Sequence, residues 1–258
     1  MPDSYRRFWQ ATLVFLRRDL QTRYASSVLG PLWIVLYPLA LVVITVAVFS
    51  FVFGGPAESP TYALHVIIGF VHWLFFSQSI LKIVYVFPNN ESLIKNHQFP
   101  LLSLPASALF SRLVDYLVGF VILLLAMTVL GHSFSLGTFL TFALLLAMQM
   151  VFQFGLGLFF ATLNLLVRDA QYLVEILLQI WFYATPVIYT LAMLPSSVAN
   201  LLAVNPLTTL FSSYRQLVLG NTETISSNLS WVVVLSLLVF IGSLWFFGKN
   251  KHQFAELL

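Results

Sequence analysis

The chain contains no cysteine among its 258 residues, which excludes disulfides, thiolate metal sites and a cysteine nucleophile. Charge is scarce too. Twelve Lys or Arg and nine Asp or Glu make up 8% of the chain, where a soluble domain carries about 25%. That scarcity excludes a disordered scaffold. It also excludes a nucleic-acid binder, because so few cations cannot form a phosphate-binding face despite a net charge of +3. Motifs that carry chemistry are missing as well. There is no Gly-x-x-x-x-Gly-Lys-Ser/Thr phosphate loop, no Gly-x-Gly-x-x-Gly fingerprint and no Gly-x-Ser-x-Gly elbow. The histidines, His65, His72, His97, His132 and His252, show no metal-ligand spacing. The chain is therefore read as having no catalytic, cofactor-binding or metal-binding residues, and any ATPase that powers it has to be another chain.

Apolar residues are what the chain has in excess, at 60% of the total. A soluble monomer of this size could not bury them, so the expected class is an all-α integral membrane protein. Six segments approach the roughly 20 apolar residues that cross a bilayer: 32–53, 62–87, 106–130, 136–163, 173–189 and 229–247. The fifth is the shortest and carries Glu175 and Gln179. With the N-terminus inside, eleven of the twelve basic residues fall on inner flanks and only Arg215 falls outside. Both termini are thus expected in the cytoplasm.

Three segments are not simple spans. Residues 4–26 place Tyr5, Phe8, Trp9, Leu13, Leu16, Leu20 and Tyr24 on one side and Arg7, Gln10, Arg17, Arg18 and Gln21 on the other, with Arg23 spoiling the stripe. This predicts an amphipathic helix along the membrane surface, serving either as an anchor or as a dock for a cytosolic partner. Gly30-Pro31 then breaks it, which divides the chain into an interface helix at 1–30 and a six-span domain at 31–258. The inner loop 88–105 predicts one short helix, capped by Asn89 or Asn90 and ended by Pro100. It is either a force-transmitting element or an ordinary connection. The outer segment 191–228 holds two apolar patches, 197–204 and 207–219, separated by Asn205-Pro206. Both are too short to span, so they read as a re-entrant hairpin on the exit side, or else as two helices flat on the outer surface.

Polar residues inside spans are costly and each needs a partner or a purpose. Arg112 and Asp115 sit three apart and are expected to neutralise each other. Gln171, Glu175 and Gln179 share one face of the fifth span, and Gln149 and Gln153 share one of the fourth. Such stripes either bind helices together or line a hydrated path. Aromatic residues form 16% of the chain. Most should face lipid or the interface, but a pore could use such faces to stack on sugar rings, and Trp33, Tyr37, Trp73, Phe76, Trp181 and Tyr183 are the candidates.

The order of several short blocks resembles the membrane subunit of bacterial ABC exporters for lipid-linked polysaccharides, the O-antigen, capsule and teichoic-acid permease family. The blocks begin with Arg17-Arg18-Asp19-Leu20-Gln21-Thr22-Arg23-Tyr24, Leu29-Gly30-Pro31-Leu32-Trp33 and Tyr37-Pro38-Leu39. Trp73-Leu74-Phe75-Phe76 with Ser79, Leu93-Ile94-Lys95 and Phe99-Pro100 follow. The series continues with Asn164-Leu165-Leu166-Val167-Arg168-Asp169, Thr185-Pro186-Val187-Ile188-Tyr189, Leu194-Pro195 and Asn205-Pro206. The resemblance implies a homodimer in the bacterial inner membrane, with six spans per subunit around a continuous channel. It implies two cytosolic nucleotide-binding subunits beneath, which would hold the ATP and Mg. Their contacts would be Arg17, Arg18 and Arg23, then Glu91, Lys95 and His97, then Arg168 and Asp169. The exit gate would map to 197–219, with Asn205, Pro206 and Arg215. The cargo would be a glycan on a polyprenyl diphosphate or another lipid, moved from cytoplasm to periplasm. Two other readings stay open: an ABC exporter for a small hydrophobic cargo, and a proton-coupled secondary transporter using Glu175 and Asp115.

Overall fold

The computed structural model describes residues 2–24, 32–53, 60–96, 98–129, 135–219 and 229–254. Among these the structure is helical, and no strand occurs. Ten α-helices follow in chain order: α1 (Pro2–Tyr24), α2 (Trp33–Phe53), α3 (Pro60–Val84), α4 (Glu91–Asn96) and α5 (Ser103–Val129), then α6 (Leu136–Leu166), α7 (Ala170–Tyr183), α8 (Ser196–Ala203), α9 (Pro206–Leu219) and α10 (Leu229–Asn250). The expected break at Gly30-Pro31, His97, His132, and the stretch 220–228 of the outer segment lie outside the described residues.

Four of these helices are long and apolar enough to cross a membrane: Leu64–Val84, Ser103–Leu125, Leu136–Leu166 and Leu229–Gln253. The first expected segment is occupied by α2, with 21 residues and no charged side chain. The fifth differs from expectation. Instead of running through 173–189, α7 stops at Tyr183 after 14 residues. At 1.5 Å per residue that is about 21 Å, short of the roughly 30 Å hydrocarbon core. The cause is Pro186, which lacks a backbone donor and disfavours helical geometry at Thr185 before it.

The bundle is built around α3, whose Leu64, Val66, Ile68, Phe76, Ile80, Ile83 and Val84 are at most 1% exposed. Helices α5, α6, α7 and α9 surround it. Close approach is made possible by missing side chains. A Cβ on Gly155 of α6 would lie 2.9 Å from the backbone of Phe240 in α10, and one on Gly157 would lie 3.0 Å from the Ile83 side chain of α3. Thus α6 is pressed between α10 and α3.

The short helices also adjust the expectations. Between α3 and α4 a 3-10 turn covers Pro88–Asn90, and α4 ends at Asn96, four residues before Pro100. The Asn90 amide donates back to the Val86 carbonyl (2.8 Å). Helices α8 and α9 match the two outer apolar patches, yet they differ in burial. None of the α8 side chains is buried, while every residue from Leu207 to Arg215 in α9 is. Pro206 opens α9, where its fixed φ suits the first turn.

Candidate functional site

Two polar centres occupy opposite ends of α3. At the Lys82 end, α1 is clamped against α3 and α5. Arg23 donates to both carboxylate oxygens of Asp115 (2.8 and 2.6 Å) and to Asp19 (2.8 Å). Arg112 reaches Asp115 from the other side at 3.0 Å. Lys82 and Ser111 both donate to Asp19, at 2.5 and 2.6 Å. The expected Arg112–Asp115 pair is therefore one part of a larger network, and Arg23 leaves the amphipathic stripe because it points into this network. Burial alone would raise the Asp19 pKa, but the bonds from Lys82 and Ser111 and the charges of Lys82 and Arg23 outweigh it. The carboxyl is held below its ordinary value. Asp19, Lys82 and Ser111 were not singled out from sequence; a lysine in the last turn of a span was the available signal.

Beside this network, Arg18 donates to Asn90 Oδ1 at 2.5 Å and lies 5.4 Å from the Phe15 ring centre. Phe15 in turn packs edge-on against Phe99. The 3-10 turn ahead of α4 is thereby tied to α1. Arg17, Glu91 and Lys95 are exposed, the last two as a 2.7 Å ion pair one helical turn apart. Arg168 and Asp169 are exposed in the turn between α6 and α7.

At the other end of α3, the irregular chain after α7 is held by side chains. Tyr62 donates to the Ile188 carbonyl (2.9 Å), His65 to that of Tyr189 (3.1 Å) and Arg215 to that of Val187 (2.9 Å). Non-helical backbone within a bundle requires such partners. Gly69 gives them room: a Cβ there would sit 2.4 Å from the Val187 oxygen and 2.7 Å from an Arg215 nitrogen. Asn205 works beside them. Its amide donates to Ala184 O (2.8 Å) and Thr185 Oγ1 (2.9 Å), and its oxygen accepts from Trp181 Nε1 and the Leu207 amide, both at 3.0 Å. One side chain thus joins the end of α7 to the start of α9. Of the exit candidates, Asn205 and Arg215 were legible in sequence, whereas Tyr62 and His65 were not.

The candidate channel residues separate into two groups. Gln149 donates to the His72 carbonyl (3.0 Å) and Gln153 to Ser79 (3.2 Å), and both are fully buried, so this stripe ties α6 to α3. Trp73, Phe76 and Trp181 pack with Phe70, Phe152 and Phe182 in an aromatic cluster. His72 also belongs to the interior. The Ile68 carbonyl only accepts, so Nδ1 carries the proton, and Nε2 accepts from the Tyr116 hydroxyl at 3.1 Å. The second group faces outward. Trp33 is exposed, as are Glu175, Gln179 and Tyr183 on α7, where Tyr85 donates to Glu175 at 2.5 Å. The Tyr37 side chain lies outside the described residues. Among the described residues no group of three or more His, Asp or Glu could hold a metal.

A profile of the ABC-2 type transporter family matches residues 10–219. The O-antigen export system permease protein RfbA of Klebsiella pneumoniae is 30% identical over 249 residues, covering 95% of this chain and 94% of that one. The RfbA protein of Myxococcus xanthus is 28% identical over 246 residues, with coverage of 93% and 92%. The polysialic acid transport protein KpsM of Escherichia coli is 23% identical over 227 residues, with coverage of 87% and 88%. With a profile match over most of its length and a 30% identical relative aligned nearly end to end, the chain belongs to the ABC-2 type transporter membrane family, the permease components of ABC transporters.

Proposed function

We propose that this chain is the permease subunit of an ATP-driven exporter that moves a lipid-linked polysaccharide of the O-antigen kind from cytoplasm to periplasm. In this reading it sits in the bacterial inner membrane with six spans and both termini inside, the fifth crossing being made by α7 together with the irregular chain that follows it, and the channel lies between two copies. The near end-to-end match to O-antigen export permeases carries the proposal. The α7 geometry supports it. Glu175 and Gln179 are exposed among Leu173, Ile176 and Ile180 on a helix of the bundle. A carboxylate is too costly to leave facing lipid, so this face meets a hydrated path or a second copy. A polymer longer than the bilayer is thick needs an open path with hydroxyl partners, which Glu175, Gln179 and Tyr183 supply. At the other end, α1 and α4 present Arg17, Glu91 and Lys95 outward, as contacts for a separate nucleotide-binding subunit that holds ATP and Mg. The α1 clamp on α3 and α5 would carry its motion inward. A proton-coupled mechanism is less well served, because Asp115 is committed to two guanidinium groups.

The proposal is tested in a deletion strain and in proteoliposomes. The strain should accumulate glycan inside the cell, and ATPase activity should require a co-expressed nucleotide-binding subunit. Normal surface glycan in the deletion strain, or robust hydrolysis by this chain alone, would overturn it.

A further inference from the structure

A cavity of about 230 Å³ opens between α1, the end of α3, the turn Pro88–Asn90 and the start of α5. Its polar lining includes Arg18, Asp19, Lys82, Asn89 and Asn90, and its apolar side includes Phe15 and Leu104. The volume is several times the roughly 30 Å³ that a water molecule occupies in the liquid. Its depth is fixed by the flanking helices. Lys82 lies in the last turn of the stretch Leu64–Val84, and Leu104 lies at the start of Ser103–Leu125. The cavity therefore sits at the ends of two apolar helices, the level at which lipid phosphates lie.

The charges around it do not cancel. In the lining, Arg18 and Lys82 stand against one carboxylate, Asp19, and in the adjoining network Arg23 and Arg112 stand against Asp115. Both carboxylates are already shared between cations, while Arg18 makes its hydrogen bond to a neutral amide oxygen. A half-enclosed site with surplus positive charge, amide donors and an apolar wall is complementary to a phosphoryl group attached to a hydrocarbon chain. We propose that this cavity is a phosphoryl-binding site, filled by the headgroup of an anionic phospholipid of the leaflet nearest α1, which braces α1 against α3. The site requires only that the chain lies in a membrane, so it does not depend on the identity of the cargo.

The test is thermal unfolding and native mass spectrometry of the full-length protein in detergent, with phosphatidylglycerol, diacylglycerol, inorganic phosphate or farnesyl diphosphate added separately. Phosphatidylglycerol should raise the melting temperature and give a retained adduct, and diacylglycerol should do neither. Arg18→Gln and Asn89→Ala should each lower adduct occupancy severalfold, with the melting temperature before lipid addition as the baseline for folding. A response to inorganic phosphate, or to farnesyl diphosphate but not phosphatidylglycerol, would keep the phosphoryl site and reassign its source to a free ion or a prenyl diphosphate. Equal stabilisation by diacylglycerol, or unchanged responses of both variants to every probe, would overturn the site. Failure here would leave the export proposal intact, since that rests on glycan retention and partner-dependent hydrolysis.

Discussion

Gly69 is the residue on which the end of the bundle remote from α1 is most finely adjusted. An alanine there would bring its Cβ within 2.4 Å of the Val187 carbonyl oxygen, a backbone atom that cannot swing aside. Overpacking of that kind costs roughly 1–3 kcal/mol. Gly69→Ala should therefore lower the melting temperature in detergent, and an unchanged midpoint would refute the close approach. Arg215→Gln attacks the same contact from the other side. Arg215 is fully buried, and losing its bond to Val187 O should cost about 1.5–3 kcal/mol. Sequence marked Arg215 as unusual because it was the one basic residue that fell outside the inner flanks. It gave no sign of Tyr62 or His65, because donors to backbone carbonyls more than a hundred residues away leave no periodic trace.

Among the elements, α1 joins ion pairs to aromatic packing, with Trp9 on Phe110 and Phe15 on Phe99 beside the charged network. Its ion pairs are between about a fifth and a third exposed, so solvent screens them, and together they contribute about 1–2 kcal/mol. Asp19 has its pKa held below the ordinary 3.8, so its stabilising share is complete above that value and is lost as pH falls through the lower folded value. Asp19→Asn at neutral pH should reproduce the acid state, with amide exchange along α1 rising about fivefold while α5 and α6 stay protected. Equal exchange in variant and parent would show that the clamp holds without this carboxylate. The helix itself was legible from its three- and four-residue apolar steps, and so were α8 and α9 from their apolar patches. The early end of α7 is not legible in the same way, because hydrophobicity runs on through residue 189 and masks the signal of Pro186. The short helix before Pro100 was expected, and it ends at Asn96, four residues ahead of the proline.

For the whole molecule, the outward faces of α7 and α10 differ in kind. Between its polar ends the exposed α10 side chains are apolar, Val234, Leu238, Ile241 and Trp245 among them, and suit lipid. The exposed face of α7 mixes Ile176 and Ile180 with Glu175, Gln179 and Tyr183. If two copies meet, α7 should lie near the junction. The natural lack of cysteine makes this simple to probe: Tyr183→Cys should give a disulfide-linked dimer on oxidation in membranes, and Leu238→Cys should remain monomeric. The reverse pattern would move the junction to α10. The polar stripes were visible in sequence as four-residue repeats, but direction was not. Gln149 and Gln153 turned inward to α3 while Glu175 and Gln179 turned out, and only packing decides that. The α1 clamp has one more consequence, for biogenesis. Arg23 finds Asp115 only 92 positions later in the chain, so during synthesis α1 leaves the ribosome long before its anchor exists. Until α3 brings Lys82 to Asp19 the nascent amphipathic segment has headgroups alone to rest on, and its final seating waits for Asp115 of α5, a late event in maturation.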